Sequence, residues 1–158
     1  MALNQIGTDQ PDGSIVRGQH VGVTASGAAT RTLTQRESGG IFLFDSAAGV
    51  VYTLPAPSIG MNFKFFSTVT ITSNSAKIIT NAATVFLLGE VFTYTTATAL
   101  GAGFAFNGST HVACTMNGTT SGGIIGTMVE VTCLSATQWL INGLIVGSGT
   151  IVTPAATS

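Results

Sequence analysis

The sequence predicts an all-β protein: a single antiparallel β-sandwich or barrel-like domain of about eight to ten strands, preceded by an extended N-terminal arm. Three observations carry this expectation. Short runs rich in Val, Ile, Phe and Thr recur from Thr32 onward, and β-branched and aromatic residues favour strand over helix. Asn-Gly, Gly and Pro interrupt them at turn-like spacings. No stretch offers a convincing helix. Residues 1–30 are expected as the arm and residues 31–158 as the β-rich domain.

The arm is polar and Gly-rich, with only short apolar pairs such as Ile15-Val16 and no sustained period. A segment of this kind either dangles or is ordered by lying across a partner. Ile15, Val16, Arg17, His20 and Val21 are its candidates for contact with a partner surface.

Ile41, Phe42, Leu43 and Phe44 then read as a buried strand, and residues 45–49 have the composition of a hairpin loop. Val50, Tyr52 and Leu54 share one face of the return strand, which Pro55 and Pro57 end because neither supplies a ladder donor. In residues 62–72 Phe63, Phe65, Val69 and Ile71 share one face, with Lys64, Phe66, Thr68 and Thr70 on the other. Asn74 and Ser75 turn the chain, and Gly89-Glu90 reads as a second tight reversal. Asn107-Gly108, Asn117-Gly118 and Asn142-Gly143 each follow an apolar run and read as hairpin turns. Ile125, Thr127, Val129, Val131 and Cys133 trace one face of a long strand.

The chain has 158 residues, enough for one domain, with five basic and six acidic residues, a net charge of -1 and only 7% charged residues. An ordinary globular protein carries about 25%. So few charges near neutrality invite association, so a subunit covered by copies of itself or by a larger shell is expected over a free monomer. No apolar run approaches the roughly 20 residues of a spanning helix, and the opening residues lack the basic and apolar regions of a secretory signal. Neither a membrane nor a nucleic acid is an expected partner: Arg17, Arg31, Arg36, Lys64 and Lys77 are scattered rather than clustered for phosphate neutralisation.

The residues offer no catalytic constellation, so no enzyme and no cofactor is expected. The sequons at Asn107 and Asn117 are explained by turns. Cys114 and Cys133 suit buried free thiols. His111 and Cys114 fall on opposite faces of a strand, and with His20 remote no zinc set assembles. The acids Asp9, Asp12, Glu37, Asp45, Glu90 and Glu130 form no dyad that the sequence places. Glu130, between two valines, is expected on the solvent side or at a subunit interface. Trp139, the only tryptophan, is expected in the core or at a subunit interface.

Two segments resemble tailed-phage head decoration (cement) proteins. One runs from Arg31, RTLTQRESGGIFLFDSAAGVVYTLPAPSIGMNFKFF, with the Thr53-Leu54-Pro55 stop, Gly60 and the Phe63/Phe65 strand. The other is the tail from Gln138, QWLINGLIVGSGTIVTP. The resemblance implies a β-rich homotrimer on the outer surface of an icosahedral phage head, in the virion and assembled in the host cytoplasm. It implies the major capsid protein as partner, with the arm residues Ile15, Val16, Arg17, His20 and Val21 reaching over the shell. The alternative expectation is a head- or tail-fibre knob that binds host surface glycans through Asn107, Asn117 and Trp139.

Overall fold

The computed structural model describes residues 22–96 and 100–158. Within them the chain forms twelve strands: β1 (Val23–Thr24), β2 (Thr30–Thr32), β3 (Ile41–Phe44), β4 (Val51–Thr53), β5 (Asn62–Ser67), β6 (Ala76–Ile79), β7 (Phe86–Thr95), β8 (Gly101–Asn107), β9 (Ala113–Met116), β10 (Met128–Ser135), β11 (Gln138–Gly147) and β12 (Ala155–Ala156). Two sheets pack face to face. One has seven strands in the order β1-β3-β5-β10-β11-β7-β8, the other five in the order β12-β9-β6-β4-β2. The all-β sandwich is therefore present, and its sheets are mixed rather than antiparallel throughout.

The first six strands alternate between the sheets. β1, β3 and β5 pair in parallel in one, while β2, β4 and β6 pair in parallel in the other. The amino-terminal half thus winds as a two-sheeted coil, each turn stacked on the last. Residues 45–49 consequently form a corner between sheets, where the sequence suggested a hairpin. The physical reason lies in the aromatic side chains. Crossing to the other sheet sets Tyr52 against Phe44 and Phe42 through the core, with ring centroids 5.2 Å and 5.9 Å apart. A flat hairpin would lay these rings side by side in one sheet. The corner residues are small because the next turn of the coil sits directly on them. Thr72 N–H bonds to Ala47 O at 2.8 Å, Ser73 Oγ to Ala48 O at 2.6 Å and Lys77 N–H to Val50 O at 3.0 Å.

The carboxyl-terminal half closes the coil by antiparallel pairing. β10 covers β5 and pairs with β11 through a true hairpin at residues 135–138, and β7 pairs with β8 in a second one. Four other expected reversals are corrected. β7 runs unbroken through Gly89-Glu90, where a Cβ on Gly89 would lie 2.2 Å from Ile141 O, so the glycine admits the adjacent strand. β11 runs unbroken through Asn142-Gly143. Asn107-Gly108 and Asn117-Gly118 do follow strand ends, but each time the chain then crosses to the other sheet. The long strand expected from Ile125 begins at Met128, and Ile125 itself is exposed in the preceding loop.

The expected arm also ends earlier than residue 30. β1 and β2 are edge strands of the two sheets, and Asp45 accepts hydrogen bonds from both the backbone and the hydroxyl of Ser26. Arg31 pairs with Glu37 at 2.6 Å and lies over the Phe42 ring, 5.2 Å from its centroid. These contacts fasten the first turn of the coil to the body. Phe42, Phe44, Tyr52, Phe63, Phe65 and Trp139 are fully buried and form the aromatic centre of the core.

Candidate functional site

The seven-stranded sheet presents the wider of the two outer faces in strand number. Alternation points Phe63, Phe65, Val129, Val131, Leu87 and Val91 inward, so their neighbours in sequence point outward. Register then decides which outward residues meet. Leu43 lies beside Phe66, Phe66 beside Met128, Met128 beside Leu144, Leu144 beside Phe92, and Phe92 beside Gly103. This is one apolar row across six strands, with Met128 43%, Leu144 41% and Phe92 49% exposed. The aromatic ring at its end lies over the edge strand: a Cβ on Gly101 would come within 2.3 Å of Phe92 Cζ.

The next row is polar. Lys64, Glu130, Asn142 and Glu90 stand side by side on β5, β10, β11 and β7. Lys64 and Glu130 form a loose ion pair at 3.8 Å, with both side chains partly exposed. Glu130 thus lies on the outer face, paired with the neighbouring strand. A groove of about 240 Å³ lies where the two rows meet over β7 and β11, lined by Glu90, Val91, Phe92, Gly103, Asn142 and Gly143.

The residues singled out from sequence fall elsewhere. Ile15, Val16, Arg17, His20 and Val21 lie outside the described residues. Trp139 is wholly buried on β11 with its ring 5.9 Å from that of Phe63, so it offers nothing to a partner or a sugar. Asn107 spends its side-chain oxygen on Ser109 N–H at 3.0 Å and Thr110 N–H at 2.9 Å. Asn117 does the same for Thr119 N–H at 2.9 Å and Ser121 N–H at 3.1 Å. Both asparagines hold their own loops. His111 accepts from Asn107 N–H at 3.2 Å through Nδ1 and packs edge-on against Phe106. Cys114 and Cys133 are free and buried, on different sheets, and burial pushes the Cys114 thiol up to about 12. Among the described residues no group of three or more His, Cys, Asp or Glu side chains is placed to hold a metal ion.

The outer row went unseen from sequence because its members come from strands far apart in the chain. A local signal did exist: Phe66, Phe92, Met128 and Leu144 are large apolar residues at the outward positions of alternating strands. No protein-family model, no curated protein and no solved structure matches the chain.

Proposed function

We propose that this chain is a structural virion protein, a capsid decoration or cement protein. It sits as a homotrimer on the outer surface of an icosahedral phage head and bridges major capsid subunits to stabilise the shell. The observation that carries this reading is the outer apolar row from Leu43 to Phe92, on a protein with so few charges. A wide, weakly charged sheet face suits permanent burial against protein better than life in solvent. The two cement-like segments add support: the first carries β2 to β5 with their connections, and the second opens with β11. In this reading the action is mechanical, and residues 1–21 add contact with the shell.

Mixing the purified protein with undecorated heads tests the reading. Saturable binding with a fixed copy number is expected, and its absence overturns the proposal. Removing residues 1–21 leaves every described strand in place; a folded product with much weaker shell binding is expected.

One observation favours a second reading, a fibre or knob that binds host glycans. In the outer groove, half-exposed Phe92 stands beside Glu90 and Asn142, an aromatic face next to planar hydrogen-bonding groups. Glycan-array binding that is lost in Phe92→Ala and Asn142→Ala would favour it over the cement reading.

A further inference from the structure

The backbone at the sheet edge identifies a second interaction surface, independent of what the outer face binds. Among the described residues β8 is the outermost strand of its sheet and pairs only with β7. Two hydrogen bonds fix its orientation: Thr95 N–H to Leu100 O at 2.8 Å and Gly108 N–H to Leu87 O at 2.9 Å. In an antiparallel ladder the bonded residues alternate, so Leu100, Ala102, Phe104, Phe106 and Gly108 direct their backbone groups at β7. Gly101, Gly103, Ala105 and Asn107 direct theirs away from the sheet. Asn107 N–H is taken by His111 Nδ1. Among the described residues, the groups left open are those of Gly101, Gly103 and Ala105.

Natural sheet edges are ordinarily blunted by shortness, charge or proline. The other three edges here follow that rule. β1 and β12 have two residues each, β12 directly after Pro154, and β2 has three including Arg31. β8 has seven residues, GAGFAFN, with neither charge nor proline. At Gly103 a Cβ, which would point off the outer face, finds no heavy atom within 4 Å, so no side chain covers that face beside the edge.

We propose that this edge pairs with the β8 strand of a second copy of the same chain, in antiparallel register about Phe104. That register sets outward residues against outward residues, Gly103 opposite the partner's Ala105 and the partner's Gly103 opposite Ala105. It forms about four new backbone hydrogen bonds. Phe104 meets its own counterpart at the closer, non-bonded position, where aromatic pairs contribute most. The contact is isologous and closes on itself. The occupant is the chain itself because the edge is uncharged and self-complementary, so two copies approach without like charges opposed.

Two variants test this without touching the β7 ladder. Ala105→Pro deletes an outward N–H only, the one setting in which a strand tolerates proline. Gly103→Lys places a charge on the outer face beside the edge. Mass by sedimentation and light scattering at tens of micromolar should show an even number of copies for the native chain. Either variant should halve that mass with an unchanged far-ultraviolet circular dichroism spectrum. A native chain that is a monomer or a plain trimer overturns the inference, and so does an even assembly that Gly103→Lys leaves intact. Should Ala105→Pro unfold the chain, the Gly103→Lys result decides. A plain trimer that binds heads would leave the cement reading standing, and a dimer that ignores heads would leave only the strand pairing.

Discussion

The Tyr52 hydroxyl donates to the Leu43 carbonyl at 2.6 Å, joining the two sheets across the core. β4 carries the tyrosine and β3 carries the carbonyl. The β1 ladder beside β3 stops at Thr24, opposite Phe42, one residue short of Leu43. The phenol takes up an acceptor at the point where the short edge strand runs out. Burial pushes its pKa up to about 12, with the Asp45 charge adding to the rise.

Tyr52→Phe should therefore lower stability by about 1 kcal/mol at neutral pH, the cost of leaving a carbonyl unpaired. The pH dependence has a definite sign. The folded pKa is raised, so the unfolded chain gives up this proton first and the phenol's contribution is complete only below about pH 10. It is lost as pH climbs toward 12. Urea midpoints of the native chain and Tyr52→Phe, measured from pH 8 to 11.5, should converge above pH 10. Curves that stay parallel would show that the hydroxyl does not titrate with folding.

Gly49 marks where one turn of the coil rests on the next. Its φ is +86°, and a Cβ there would lie 2.6 Å from Ser75 C and 2.7 Å from Ala76 N, both backbone atoms that cannot swing aside. Gly49→Ala should cost the left-handed backbone penalty of about 1–2 kcal/mol and the collision besides. Gly60 isolates the first of these, because its φ is +89° and a Cβ there meets nothing within 4 Å. Gly49→Ala should thus be clearly the more destabilising of the two in denaturant melts. Equal losses would mean that the turns of the coil are not in contact at this corner.

Acid should loosen the first turn of the coil before the rest. Partial burial pushes the Glu37 carboxyl up, but hydrogen bonds from Thr34 and Arg31 outweigh it and hold the group below its usual range. Asp45 is likewise raised by burial and lowered further by the hydroxyl and backbone N–H of Ser26. A lowered carboxylate pKa stabilises the fold above the unfolded value near 4, and the contribution fades as pH falls through the folded value. Amide exchange across β1 and β2 should accelerate between pH 5 and 3 relative to β10 and β11. Asp45→Asn should bring the same acceleration at neutral pH.

The fold class was legible because strand periodicity is local. The inward sets Phe42/Phe44, Phe63/Phe65 and Val129/Val131/Cys133 follow from period two alone, and all seven residues are buried. Topology was not, since a corner and a hairpin demand the same small residues. Residues 45–49 and Asn107-Gly108 say that the chain turns and do not say which sheet it enters next. Glycines inside β7 and β11 imitated turns because a close approach between neighbouring strands also selects against a side chain. The outer apolar row was illegible for a further reason. It depends on the spatial order β3-β5-β10-β11-β7, which no local pattern encodes.

Two buried threonines provide a prediction with opposite signs. Thr93, on the inner side of β7, is wholly buried, and among the described residues its hydroxyl has no hydrogen-bond partner. Thr127 is equally buried, but its hydroxyl accepts the Val146 N–H at 3.0 Å. Valine matches threonine in shape and favours strands at least as well. Thr93→Val removes a polar group desolvated without compensation, so it should stabilise by about 1 kcal/mol and raise Tm by roughly 2–4 °C for a chain of this size. Thr127→Val strands a buried N–H and should destabilise by about 1–3 kcal/mol. Thermal melts of the two variants should move in opposite directions. A loss of stability in both would mean that Thr93 satisfies its hydroxyl in solution, through a partner such as an ordered water.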